Sequence, residues 1–261
     1  MLRPTHLKIT SPKLAPYVLL PGDPARVDII AKYLRNGKLI GNYREFRVYA
    51  GRYKNIPVSI VSTGIGCPST AIAVEEAIAL GAKVLIRVGT CGGAWIKNIP
   101  LGSCIIPTAC VRDEGTTKEY ISVEFPAVAD IDVVNALRSC AIKQTLPYFL
   151  GINRTHDAFY GAESSITKWG QAGSNSRLEK YSTPIISSEM ETAALLVIAS
   201  LRGVKAGAIL AVNADPEPLT DRLSGKKIPV RMERDSRATA RVVDRTIKVA
   251  LEALSMIKQT S

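Results

Sequence analysis

The chain has 261 residues, of which 46% are apolar, and its 34 Lys and Arg against 23 Asp and Glu give a formal charge of +11. This composition excludes a disordered chain, because so apolar a sequence can offset the entropy lost on ordering. Uninterrupted apolar stretches such as Ala193–Ala199 are too short to span a bilayer, so we expect no membrane partner. The first ten residues lack the apolar core of a signal peptide, and we therefore expect a cytoplasmic protein.

Strand-like and helix-like segments alternate along the chain. The predicted strands are Tyr17–Leu20, Arg47–Tyr53, Pro57–Thr63, Lys83–Val88, Ser103–Val111 and Val204–Asn213. The predicted helices are Pro24–Leu34, Pro68–Leu80, Asp130–Lys143, Glu189–Leu201 and Val230–Ile257. Asp23 suits the N-cap of the first helix, and Pro107 indicates an edge or a bulge in its strand. The alternation predicts a layered α/β fold with a largely parallel sheet.

The two stretches with the weakest patterns, Asn153–Pro184 and Asp215–Pro229, are rich in Gly, Ser, Pro and charge and are interpreted as surface loops. No repeat and no composition shift marks a linker, so we predict a single domain over residues 1–261. The five cysteines form no CxxC pair and no zinc-like spacing with histidine. We therefore expect no metal site and interpret them as buried or incidental thiols.

Two segments suggest an anion site. The turn Pro21–Arg26 joins a strand to a helix start, where free N–H groups, the helix dipole and the Arg26 guanidinium suit phosphate. An ordinary turn with a surface arginine is the alternative. Arg87 lies in a buried strand near its carboxyl end, where α/β sheets bind ligands, and a charge there is costly unless it is paired. The alternative for Arg87 is a structural ion pair.

Two further segments have more than one interpretation. Gly64–Ser69 partly matches a dinucleotide fingerprint, but Ser69 replaces the third glycine, and the next strand carries Arg87 instead of a ribose-binding acid. Glu189 and Glu191 are two residues apart and cannot share one helical face. One can complement the helix start while the other accepts both hydroxyls of a sugar diol, although both can simply complement the helix dipole.

Taken together, the chain resembles the nucleoside phosphorylase family, which contains uridine phosphorylases and hexameric purine nucleoside phosphorylases. The matching segments are His6–Lys8, Pro21–Arg26, Arg44–Phe46, Ser62–Thr70, Arg87–Gly92, Glu124–Asp130, Asp157–Tyr160 and Glu189–Glu191. The resemblance implies a three-layer α/β/α fold with a central mixed, largely parallel sheet. It also implies a pentosyltransferase of nucleotide salvage, a homo-oligomer built as a dimer-based hexamer, that converts a ribonucleoside and inorganic phosphate to free base and ribose 1-phosphate.

The resemblance also implies a role for individual residues. Phosphate is expected at Gly22, Arg26, Arg87, Thr90 and a neighbouring subunit's Arg44. Ribose is expected at Glu189, Met190, Glu191 and a neighbouring subunit's His6. The base is expected at Phe159, Glu163 and Asn213, and the catalytic set at Arg87, Glu191 and Asp215. No cofactor is expected beyond phosphate, although the resemblance allows a monovalent cation at Glu45, Ile65 and Ser69. The alternative is that no cation binds, because a hydroxyl at a helix start and an acid on the surface are equally common without one.

The base-recognition positions depart from the family pattern. Uridine phosphorylases of the family carry Gln-x-Arg after the aromatic pair, where this chain has Glu163 and Ser165. Purine enzymes of the family use an aspartate near the position of Asn213, and here Asp215 follows two residues later. Asn213 favours uridine, and a purine nucleoside or methylthioadenosine phosphorylase is the alternative. Glu163 could instead bind the imide N–H of uracil or a purine N1–H.

Three other functions are alternatives. A nucleosidase, which uses water, needs no arginine cluster, so Arg26, Arg44 and Arg87 argue against it. A dinucleotide-binding protein rests only on the imperfect glycine loop. A nucleic-acid-binding protein rests on the charge of +11, but the basic run Arg222–Arg245 is interrupted by acids and lacks stacking aromatics. We therefore expect no nucleic-acid partner and assign most of the excess charge to the surface.

Overall fold

The computed structural model describes residues 4–11, 13–92, 99–159, 185–214 and 236–258. Within these ranges the strands are β1 (Tyr17–Leu20), β2 (Arg35–Tyr43), β3 (Phe46–Tyr53), β4 (Ile56–Val61), β5 (Val84–Gly92), β6 (Cys104–Asp113), β7 (Ala127–Val128), β8 (Tyr148–His156), β9 (Ile185–Glu189) and β10 (Lys205–Ala214). The helices are α1 (Pro24–Ala31), α2 (Cys67–Ala79), α3 (Thr116–Tyr120), α4 (Ile131–Lys143), α5 (Thr192–Leu201) and α6 (Ser236–Leu254).

All the described strands belong to one mixed sheet. Strand β5 pairs with β10, which pairs with β6, and β8 and β9 then lead back to β5, so that these five strands close into a barrel. From β5 the sheet also extends through β1, β4 and β3 to β2. The prediction of a mixed sheet with helices is confirmed. Because part of the sheet closes on itself, the barrel replaces the open sheet expected of a three-layer sandwich.

The expectation of a largely parallel sheet is wrong for the described strands. Five of their pairings are parallel and five are antiparallel. The connections explain this, since only Arg44 and Glu45 separate β2 from β3, and only Lys54 and Asn55 separate β3 from β4. Two-residue connections can join only antiparallel strands. Arg44 and Lys54 adopt φ values of 54° and 50° in these turns.

Helices cover the sheet and complete the core. Helix α6 packs on β1, β5, β10 and α4, while α5 packs on α2, α3, β6 and β10. In α5 the eight residues Thr192–Ala199 are all buried, which places the helix inside the protein. The hydroxyl of Tyr17 donates to the carbonyl of Ile257 at 2.9 Å and ties the first strand to the end of the described chain. Among the described helices, none has the length and apolarity that a bilayer crossing requires.

Several predicted boundaries differ from the structure. The predicted strand at Tyr17–Leu20 is confirmed, as is the irregularity at Pro107, where the register with β8 shifts before Ala109. Glu189 ends strand β9 instead of opening a helix, which begins at Thr192. The sequence predicts neither the strands β2, β7, β8 and β9 nor the short helix α3. Strand β2 is mostly exposed and polar, and β8 carries polar residues into the interior, so neither has the apolar pattern by which strands are recognised.

Candidate active site

The candidate site is centred on Arg87 in strand β5. Its side chain is 5% exposed, Nε donates to Glu189 Oε2 at 3.0 Å, and Nη2 donates to Glu191 Oε2 at 2.5 Å. Its Nη1 is buried and meets no hydrogen-bond acceptor within the described ranges. A Cβ on Gly22 would lie 3.8 Å from this nitrogen, so Nη1 borders the turn after β1. Burial opposes the charge of the guanidinium, but Glu191 and Glu189 raise the pKa of Arg87 above its ordinary value.

Glu189 anchors Arg87 and is itself anchored by strand β8 and by the start of helix α5. Besides Arg87, its carboxylate accepts hydrogen bonds from Asn153 Nδ2 at 2.9 Å and from Thr155 Oγ1 at 2.7 Å. The backbone N–H groups of Glu191 and Thr192 complete the set at 2.9 and 3.0 Å. Burial alone would raise the pKa of Glu189, but Arg87 and these hydrogen bonds hold it below its ordinary value. Both oxygens are therefore engaged within the protein.

Glu191 has spare capacity to accept hydrogen bonds. Its Oε1 accepts from the N–H of Gly66 at 2.7 Å, and its Oε2 accepts from Arg87. A carboxylate offers about four lone-pair positions, so positions remain on both oxygens for other donors. Burial, together with the neighbouring charge of Glu189, raises the pKa of Glu191 despite the attraction of Arg87. Gly66 thus links the glycine loop before α2 to the site.

A second cation lies beside Arg87. Arg26 is in the first turn of α1, whose N-cap Asp23 accepts from the N–H of Ala25 at 2.8 Å, as predicted. Arg26 Nη1 donates to the carbonyl of Val88 at 3.1 Å. Burial and then the positive charge of Arg87 lower the pKa of Arg26, although a guanidinium remains charged at neutral pH. Two neighbouring guanidinium groups bordering a glycine turn suit an anion.

Thr90 and Met190 are half-buried. Thr90 follows Arg87 by three residues in β5. Met190 lies between the two glutamates, and its carbonyl accepts from Cys67 Sγ at 3.3 Å. The structure therefore brings Gly22, Arg26 and Arg87 together with both glutamates, and Thr90 and Met190 lie on the segments that carry them.

Arg44 and His6, whose predicted roles need a second subunit, lie outside the cluster around Arg87. Arg44 is exposed in the β2–β3 turn, with its guanidinium carbon 5.6 Å from the centre of the Tyr43 ring. His6 Nδ1 is 2.9 Å from Glu76 Oε1, and its ring centre is 6.1 Å from that of Phe46. No direct contact joins either residue to Arg87 or Glu191 in the described part of the chain.

The base side is described only in part. Phe159 is 47% exposed after the end of β8, and Asn213 is half-buried at the irregularity that ends β10. The predicted residues Glu163 and Asp215 lie outside the described residues. At the cation position that the resemblance allows, Ser69 Oγ donates to Glu45 Oε1 at 2.8 Å, and Ile65 is 79% exposed. These two oxygens therefore satisfy each other.

Sequence reasoning missed Asn153 and Thr155, which hold Glu189, because it placed them in a loop. They lie two residues apart on β8 and so point to the same face of the sheet. The signal available was a pair of polar residues with the period of a strand. Of the interpretations of Arg87, the ion pair and the ligand site prove compatible, since two nitrogens bind glutamate and the third does not.

A buried arginine between two glutamates, beside a second arginine and a glycine turn, has the charges that suit an α/β enzyme acting on an anion and a polyol. The family model described as the phosphorylase superfamily matches residues 16–254. A uridine phosphorylase of Treponema pallidum is 43% identical over 208 residues, 79% of this chain and 80% of that protein. A purine nucleoside phosphorylase of Plasmodium falciparum is 38% identical over 212 residues, 81% of this chain and 83% of that protein.

A crystal structure of uridine phosphorylase from Vibrio fischeri matches with a TM-score of 0.81 and 32% identity over 98% of each chain. The chain therefore belongs to the phosphorylase superfamily. The predicted family and the predicted class of enzyme, a phosphorylase that transfers a pentosyl group, are both confirmed. Family membership replaces the dinucleotide-binding and nucleic-acid-binding interpretations.

Proposed function

We propose that this chain catalyses the reversible phosphorolysis of a ribonucleoside, with uridine favoured, to the free base and ribose 1-phosphate. The observation that carries the proposal is the buried Arg87, which gives two nitrogens to Glu189 and Glu191 and keeps Nη1 for a ligand beside Gly22. A buried donor without a partner is costly, and a phosphate oxygen would satisfy it.

The proposed reaction needs an anion close to C1′ and a fixed ribose. Phosphate held by Gly22, Arg26, Arg87 and Thr90 attacks C1′ with an oxygen while the glycosidic C–N bond breaks. The bonding electron pair leaves with the base, which then takes up a proton from solvent. Glu191 accepts hydrogen bonds from the ribose hydroxyls, and the adjacent phosphate stabilises the developing oxocarbenium. Positioning and preorganised charge therefore supply the rate enhancement.

The preference for uridine rests on the relatives and on one residue. The Treponema pallidum relative is named a uridine phosphorylase, and Asn213 resembles the uridine branch. A purine nucleoside phosphorylase is the second candidate, because the Plasmodium falciparum relative carries that name. Base contacts by Phe159 and Glu163, and a catalytic role for Asp215, stay predictions.

The proposed active site is shared between subunits, with Arg44 and His6 serving a neighbour. Arg44 supports this, since it is exposed at a hairpin turn. A dimer is the smallest assembly that provides such a site, and a dimer-based homohexamer is the assembly we propose. No cofactor besides phosphate is proposed, apart from the monovalent cation at Glu45, Ile65 and Ser69. Cytoplasmic location and a role in nucleotide salvage stay predictions.

The proposal is tested by incubating the protein with uridine, inosine, adenosine or methylthioadenosine, with and without phosphate, and measuring the released base. We expect release from uridine that depends on phosphate. Release that is indifferent to phosphate would contradict the mechanism, and faster release from inosine would favour the purine alternative.

A matched pair of variants sharpens the test. Arg26→Met removes a proposed phosphate contact and should raise the KM for phosphate at least about tenfold, the value of one charge-assisted hydrogen bond. Arg202→Met removes an arginine that binds Glu75 on an exposed surface, at 2.7 Å, and should leave that KM unchanged. Equal effects of the two variants would refute the assignment of Arg26.

A further inference from the structure

A buried carboxylate holds the N-terminal segment that carries His6. Glu76 lies in α2 and is 4% exposed. Its Oε1 accepts from the N–H of Thr5 at 2.9 Å, and its Oε2 accepts from the N–H groups of His6 at 3.0 Å and Leu7 at 2.8 Å. One carboxylate therefore binds three consecutive backbone N–H groups. This single side chain therefore binds the backbone of residues 5–7 to α2.

The same carboxylate contacts the imidazole of His6. Nδ1 is 2.9 Å from Glu76 Oε1 and 3.0 Å from the hydroxyl of Thr5. Burial alone would raise the pKa of Glu76, but hydrogen bonds from Leu7, Thr5 and His6 bring it below the ordinary value, so the group is ionised at neutral pH. A nitrogen lone pair 2.9 Å from a carboxylate oxygen would be repelled. Nδ1 therefore carries a proton and donates it to Glu76.

The proton on Nδ1 decides what the other ring nitrogen can do. In neutral imidazole only one nitrogen carries a proton, so with Nδ1 protonated Nε2 is an acceptor. The side chain of His6 is 38% exposed, whereas that of Glu76 is 6% exposed. Nε2 is therefore on a ring that is partly exposed to solvent, while the Glu76 carboxylate that binds Nδ1 is buried.

We propose that Glu76 is a positioning residue for substrate selection: it fixes His6 as the Nδ1–H tautomer, so that Nε2 accepts a hydrogen bond from the 5′-hydroxyl of a ribose bound in a neighbouring subunit. The inference rests on the proposed function. It predicts selection for nucleosides with a 5′-hydroxyl donor over those without one. It also disfavours methylthioadenosine, whose 5′-thioether has no proton to donate.

The surroundings of the ring support a role in recognition. The ring of Phe46 meets the imidazole edge to face at an angle of 73°, with the ring centres 6.1 Å apart. Thr5 adds its hydroxyl to the same contact. The imidazole is thus oriented by a carboxylate, a hydroxyl and an aromatic ring.

The tautomer can be measured directly in the unmodified protein. The chain has two histidines, so a long-range ¹H–¹⁵N correlation spectrum at a pH where both rings are neutral contains two imidazole patterns, assigned with His156→Asn. We expect His6 to show a protonated Nδ1 and an unprotonated Nε2. A protonated Nε2 in neutral His6 would overturn the proposal, whatever the substrate of the enzyme proves to be.

The consequence for substrates is measured with uridine and 5′-deoxyuridine. The selectivity is the ratio of kcat/KM for the two nucleosides, and a hydrogen bond to the 5′-hydroxyl makes it about tenfold. In Glu76→Gln one oxygen is replaced by an NH₂ group that faces backbone donors, so residues 5–7 should reorient. The selectivity should then fall toward one because the KM for uridine rises. Glu75→Gln is the matched control on the same helix turn and should retain the wild-type selectivity.

His6→Ala provides a second variant that keeps Glu76 in place. It should lose the selectivity to the same extent as Glu76→Gln, and adding Glu76→Gln to it should change the selectivity no further. A selectivity that persists in either single variant would overturn the proposal. Failure of the wild-type enzyme to cleave uridine in the presence of phosphate would instead refute the proposed function and leave the tautomer measurement standing.

Discussion

Replacing Arg87 with methionine tests whether the site is an ion-paired cluster. The substitution keeps a long apolar side chain but leaves Glu189 and Glu191, each 6% exposed, without their shared cation. Removing one partner of a buried ion pair costs about 3–5 kcal/mol. We expect a loss of this size at neutral pH. If Arg87 holds phosphate as proposed, phosphorolysis should also fall by at least about 100-fold, since the guanidinium would then bind both Glu191 and the phosphate.

The loss of stability should depend on pH, with a sign that follows from the two carboxyl groups. In the wild type the pKa of Glu189 is lowered, so its contribution to stability is fully present above its unfolded pKa. This contribution declines as the pH falls from the unfolded pKa through the lower folded pKa. Without Arg87, burial dominates and raises the pKa of both carboxyls, as it already does for Glu191. The folded variant then binds more protons than the unfolded chain, so its stability falls as the pH rises from the carboxyl range to neutrality.

The difference in unfolding free energy between wild type and Arg87→Met should therefore be largest near neutral pH and shrink toward about pH 5. It is measured by urea denaturation followed by circular dichroism at one fixed protein concentration. Arg112→Met is the control, because buried Arg112 donates to carbonyls of Thr117, Ser122 and Phe125, none of which titrates. An equal pH dependence in both variants, or a cost below about 1 kcal/mol for Arg87→Met at neutral pH, would refute the reasoning.

Two further predictions concern the phosphate contacts. A Cβ on Gly22 would lie 3.2 Å from the carbonyl oxygen of Gly64 and 3.8 Å from Arg87 Nη1, so it would take up space in the proposed phosphate site. Gly22→Ala should therefore raise the KM for phosphate more than the KM for uridine in initial-rate assays. Gly37→Ala, whose Cβ would meet its nearest atom at 3.6 Å, should change neither, and an unchanged KM in Gly22→Ala would contradict the assignment. If Arg44 serves a neighbour, randomly paired Arg44→Met and Glu191→Gln subunits should recover about a quarter of wild-type activity, since half the pairs are mixed and each holds one intact site. No recovery in a verified mixed oligomer would exclude a shared site.

The local elements of the fold could be predicted because their causes are local. Strand β1 and the capped start of α1 follow from an apolar run and from Asp23 and Pro24, whose roles depend only on adjacent residues. Strand β8 could not be recognised in the same way. Its polar residues Asn153 and Thr155 are buried because they bind Glu189, which lies more than thirty residues further along the chain.

The sequence by itself determined that Arg87 needs a partner, because a charge in a buried strand must be compensated, and it also predicted an anion-binding turn at Gly22 and Arg26. Only the tertiary structure decided how that charge is shared. Pairing of β5 with β1, β9 and β10 brings Glu189 and Glu191 to two guanidinium nitrogens and leaves the third beside Gly22. Barrel closure depends on contacts between residues far apart in the chain, which no local pattern encodes, and these contacts turn a costly buried charge into a candidate site for phosphate.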